Sequence, residues 1–166
     1  MRRFVIFLLL TPLLLTPLLL TPLLTPPARA DFDSGLDAYA REDFATAMVE
    51  WQAAGNAGDA MAQYAVGILY YEGQGVARDE AAATFWLRMA ADQNMAEAQY
   101  KLGKMRAAGG EALEQDVIQA YVWFFLAVEN GMEQSEIERD MLNGLLSSAE
   151  LEESNRRLDS WHAGER

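Results

Sequence analysis

No cysteine occurs anywhere in the 166 residues. Disulfides, thiolate nucleophiles and thiolate metal sites are therefore excluded, and the fold must rest on packing alone. Histidine is nearly as scarce. His162 is the only one and lies four residues from the end, where a fraying terminus is expected. Serine–histidine and cysteine–histidine nucleophile systems, and histidine-based metal sites, thus lack the residues they need. All five prolines (12, 17, 22, 26 and 27) fall near the start, so residues 31–166 contain none. With a composition rich in Ala, Leu, Glu and Met, this predicts a nearly all-helical domain. Positive charge is the last shortage: 13 Lys and Arg stand against 25 Asp and Glu, a net charge of −12. Nucleic acid and anionic lipid need basic patches, so neither is an expected partner.

What is present begins with an apolar leader. Arg2 and Arg3 are followed by an apolar run from Phe4 to Leu24 built on repeated Thr-Pro-Leu-Leu-Leu, and Ala28-Arg29-Ala30 forms a small-x-small site. This order predicts a secretory signal peptide over residues 1–30, cut before Asp31. The run is also long enough to cross a bilayer, so a membrane-tethered regulator with an uncleaved leader is the alternative, although the repeated prolines would disrupt a spanning helix. Cleavage would leave residues 31–166 periplasmic or secreted, without membrane attachment, carrying ten basic residues against 25 acids and a net −15. That acidity reads as solubility rather than as a docking face.

The rest of the chain is organised around residues 62–91. Ala62, Ala65, Val66, Leu69 and Tyr70 recur at i, i+3, i+4, i+7 and i+8, one apolar face of a helix, and Tyr64, Gly67, Ile68 and Tyr71 form a second stripe. Gly73, Gln74 and Gly75 break that helix. Asp79 reads as the N-cap of the next, whose stripe is Ala82, Phe85, Trp86, Met89 and Ala90. Such a hairpin cannot hide both flanks, so it needs similar neighbours. They are present. Ala62-Gln63-Tyr64 with Gly67 returns 36 residues later as Ala98-Gln99-Tyr100 with Gly103, while Asp79 and Trp86 return after 37 as Asp116 and Trp123. Trp51, Trp86, Trp123 and Trp161 are spaced by 35, 37 and 38 residues, as seams between stacked modules would be. Gly67 and Gly103 sit mid-helix, where glycine costs about 1 kcal/mol relative to alanine; close approach of a neighbouring helix would explain both.

Gly67, Tyr70, Gly73, Gly75, Val76, Asp79, Ala83, Trp86, Ala90 and Ala91 resemble the Sel-one-like repeat, a relative of the tetratricopeptide repeat. The resemblance is close over residues 60–91, fair in the next hairpin and weaker at the ends. It implies an all-α, right-handed α-α superhelical solenoid of about four hairpins, at about 31–56, 57–92, 93–131 and 132–163, and an exported scaffold binding a protein or peptide of the cell envelope along its concave face. Enzymatic relatives exist, so a cell-envelope hydrolase acting on cell-wall or β-lactam-like substrates is the alternative; those relatives are cysteine-rich, and this chain lacks that framework.

At the ends, a first helix is expected to be capped near Asp33 or Ser34, with Glu42-Asp43 starting its partner. The connection 107–114 is the expected variable edge. Ser135 with Glu138 and Ser147 with Glu150 read as capping boxes, and Met141, Leu142, Leu145 and Leu146 as one apolar face. For function, Gly73-x-Gly75 follows a helix and lacks the third glycine of a dinucleotide loop, so it reads as a turn. Catalytic, metal and cofactor sites are therefore all expected to be absent. Tyr70 with Tyr71, and Phe124 with Phe125, cannot each face one seam, so at least one of each pair is the expected lining of a partner groove.

Overall fold

The computed structural model describes residues 32–110 and 114–164, in which every regular element is a helix. The leader and its cleavage site lie outside the described residues, as do residues 111–113 of the expected variable edge. The helices are α1 (Phe32–Ala40), α2 (Phe44–Asn56), α3 (Ala60–Glu72), α4 (Glu80–Ala91), α5 (Ala96–Ala108), α6 (Val117–Glu129), α7 (Ser135–Leu145) and α8 (Ser148–His162). α1/α2, α3/α4 and α5/α6 pack as hairpins, stacked through α2 on α3 and α4 on α5.

Aspartates start four of these helices. Asp43, Asp59, Asp79 and Asp116 each accept the backbone N–H three residues on, from Thr46, Ala62, Ala82 and Gln119 at 2.9–3.2 Å. Glycine stops α3: Gly73 is left-handed, at φ 73°. Gly75, at φ 71°, lies so close to α2 that a Cβ would stand 2.7 Å from the Phe44 carbonyl. The mid-helix glycines do mark close approach. A Cβ on Gly67 would meet Leu87 at 2.7 Å, and one on Gly103 would meet the Phe124 ring at 2.7 Å.

The tryptophans are all buried, at 2–8% exposure. Trp51 and Trp86 share one cluster with the α2–α3 seam; Trp123 and Trp161 share another with α4 and α5. A second repeated device is polar. Gln63 and Gln99 are 2% and 0% exposed. The Gln63 amide donates to Gly55 O at 2.9 Å and its oxygen accepts from Gln93 at 2.7 Å. Gln99 likewise donates to Ala91 O at 3.2 Å and accepts from Asn130 at 3.0 Å. Each glutamine thus fastens the corner before its hairpin to the corner after it.

The end regions differ from the sequence expectations. α1 starts at Phe32, so Asp33 and Ser34 lie within its first turn rather than before it. Ser135 forms no capping box: its buried hydroxyl donates to Phe124 O at 3.1 Å, and Glu138 turns to Tyr100 and Lys104 on α5. The Ser147–Glu150 box is present. Of the expected α7 face only Leu142 is buried; Met141 and Leu145 are exposed together with Ile137, because no further helix covers that side among the described residues. α7 and α8 each pack on α6 rather than pairing with one another, so 132–163 is not a hairpin like the others. His162 closes α8 with Nε2 2.9 Å from a Glu129 carboxylate oxygen on α6, a tie instead of a frayed end. Phe85, expected in the α4 stripe, is 61% exposed, and Ala83 and Leu87 are buried instead.

Two predictions arise here. Gly144 lies in α7 with open space where a methyl would stand, so Gly144→Ala should stabilise by about 0.5–1 kcal/mol in urea denaturation. Ser147 holds Glu150 below the usual carboxylate range, and hydrogen bonds from Arg157 and Arg156 do the same for Glu153. A carboxylate lowered on folding stabilises above its unfolded value and stops doing so as pH falls through its folded value. On acidification through that window α8 should lose hydrogen-exchange protection before α3 to α6 do.

Candidate functional site: an apolar groove on α1, α3 and α5

The second stripe of α3 is only partly covered. Met61, Tyr64 and Ile68, at i, i+3 and i+7, meet Phe32, Leu36 and Tyr39 from α1 on one side and Met95 and Glu97 from the start of α5 on the other. Together they enclose a concavity of about 360 Å³ with Trp51 in its wall. Leu36 and Met61 are 46% and 52% exposed, large apolar side chains held open to water. The wall is fixed: Phe32 stacks on Trp51 at 5.6 Å, the indole N–H donates to Phe32 O at 3.0 Å, and Gly35 leaves the room, since a Cβ there would overlap the indole. Among the described residues, Glu97 is the single charged lining residue. Burial, then Glu97 and Glu72, push the Tyr64 phenol above its ordinary value.

The four aromatics expected from sequence do not gather at this groove. Tyr70 is half-buried between two core clusters, and its oxygen accepts from Gln52 at 3.3 Å. Tyr71 is covered by cations: Lys101 Nζ stands 3.7 Å from the ring centroid and the Arg78 guanidinium carbon 5.7 Å. Burial lowers the Lys101 pKa, with Glu72 opposing. Phe124 is a correction: at 1% exposure, packed into the notch of Gly103, it is core and not groove. Phe125 is half-buried beside Tyr121 at 6.2 Å. The lining residues Leu36, Met61, Tyr64, Ile68 and Met95 were missed as a site, although the Tyr64–Ile68 stripe was readable.

A second concavity, about 280 Å³, lies among α4, α6 and α8 and is polar. Its arginines have structural employment. Arg88 lies 5.0 Å from the Trp123 ring and 5.3 Å from Trp161 while pairing with Asp92, and Arg157 bonds Asp116, Gln119 and Glu153.

Comparison with known proteins fits this architecture. The family model described as Sel1 repeat matches residues 60–95 and 96–132, the α3–α4 and α5–α6 hairpins with their connections. Among solved structures the chain is similar to a protective antigen present in uropathogenic Escherichia coli strains and displaying an SLR fold. The identity is 28% and the TM-score 0.71, over 80% of this chain and 29% of that one. It is also similar to a Sel1 repeat protein from Oxalobacter formigenes, at 26% identity and TM-score 0.62, over 72% of this chain and 52% of that one. The chain therefore spans well under two thirds of either structure's length. No curated protein matches it. The capped hairpins with notching glycine and buried glutamine over residues 60–132 are thus what the Sel1 repeat model matches, within an all-helical fold similar to that of solved SLR-fold proteins.

Proposed function

We propose that this chain is an exported, non-catalytic scaffold whose α1–α3–α5 groove holds a segment of a partner protein in the cell envelope. Sel1 repeats are an interaction-scaffold type, which supports the general role. One observation carries the choice of site: Leu36 and Met61 are kept about half exposed over a rigid aromatic wall, an arrangement with a cost in water that a docked partner would remove. The leader supports export, with the periplasm or the exterior as the destination. Capture from envelope extracts with the purified protein as bait, against Met61→Asp, tests the groove: partners retained by the first and lost by the second support it, and identical captures refute it. Mass spectrometry of the mature N-terminus tests export, with Asp31 as the expected first residue. An intact Arg2-Arg3 leader would instead make the protein a tethered one.

A further inference from the structure

We propose that the groove selects an apolar partner segment flanked by lysine or arginine, with Glu97 as the counter-charge. This deepens the reading of the groove as a partner surface and rests on it. Three observations converge. First, the walls are apolar and aromatic, and Glu97, exposed in the first turn of α5, is the only formal charge among the described lining residues. Second, α1 carries two exposed acids, Asp33 and Asp37, next in sequence to the lining residues Phe32 and Leu36. Third, cations on the adjoining surface are engaged elsewhere. Lys101, one turn beyond Glu97, sits on the Tyr71 ring, and Lys104 reaches Glu138 at 3.6 Å. Arg41 lies past the end of α1 and does not line the cavity.

An apolar anchor alone would fill the floor but leave this one-sided field unanswered. An anchor with an acidic flank would meet Glu97 and the α1 aspartates as like charges, which discriminates strongly against a wrong partner. A basic flank matches them. Met61 and Met95 at the margins suit anchors of varied shape, because the thioether side chain adapts to irregular surfaces. The partner chemistry is therefore aliphatic or aromatic side chains next to Lys or Arg, held in one peptide segment.

The test uses three labelled twelve-residue peptides with one leucine pattern and Lys, Gln or Glu flanks, titrated against the purified protein by fluorescence anisotropy. Affinity should fall in the order Lys, Gln, Glu, with the Lys peptide at least about tenfold tighter than the Glu peptide. Glu97→Lys should narrow or reverse that order. Met61→Asp should abolish binding of all three while leaving helical circular dichroism unchanged, since the side chain is 52% exposed. A Glu peptide that binds as well as the Lys peptide overturns the charge preference and leaves the groove standing. An order untouched by Glu97→Lys traces the preference to overall acidity and overturns the role of Glu97. Binding that survives Met61→Asp, or no binding by any peptide, overturns the groove reading and this inference with it.

Discussion

Trp123→Ala is expected to remove about 3–5 kcal/mol of folding stability, the usual cost of truncating a buried large aromatic. The ring is 2% exposed. It meets Trp161 edge to face at 5.2 Å with an 80° interplanar angle, and the Arg88 guanidinium lies over both indoles. One side chain therefore joins α4, α6 and α8. Truncation should leave a void and release the terminal helix, so hydrogen exchange in α8 should accelerate more than in α2 or α3. Urea denaturation reads the first effect. A loss below about 1 kcal/mol would place the ring outside the core, in the range of ordinary surface substitutions.

Gly67→Ala is the second large expectation, and its sign is opposite to that of Gly144→Ala. Helix propensity alone favours alanine by about 1 kcal/mol. At Gly67 the new methyl would stand 2.7 Å from Leu87 Cγ and 3.2 Å from the Leu87 backbone nitrogen, with Leu87 fully buried. Moving α4 away costs about 1–3 kcal/mol and sometimes more. The overpacking should win, giving a net loss of up to about 2 kcal/mol in urea denaturation once the propensity gain is subtracted. Stabilisation of Gly67→Ala would mean that the α3–α4 hairpin is looser than its geometry indicates.

The repeat was legible because its signals are local or periodic. Asp79 and Asp116 cap helices through their own backbone neighbours, and the glycines at 67, 73, 75 and 103 report constraints that hold wherever the module stands. What sequence could not supply was which apolar side each helix leaves uncovered. Ile137, Met141 and Leu145 have the spacing of a core stripe and are exposed because no described element lies beside them. Phe124 and Phe125 are adjacent and chemically alike; the Gly103 notch on a different helix decides that the first is buried. The groove has the same origin. Among the described residues, α1 meets the Met61–Ile68 stripe through Phe32, Leu36 and Tyr39 but leaves Met61 52% exposed. Ser135 failed as a cap for a related reason: a backbone carbonyl of α6 came within reach of its hydroxyl.

The buried glutamines bear on how such a chain can change in length. Gln63 needs a carbonyl from one corner and an amide from the next, and Gln99 draws on that same next corner through Ala91. A tandem duplication of residues 60–95 would arrive with its own glutamine, receiving carbonyl and donating amide, and every buried polar group would find its counterpart. An insertion of half that size would orphan them in the interior. Growth or shrinkage of the molecule is thereby quantised in whole copies.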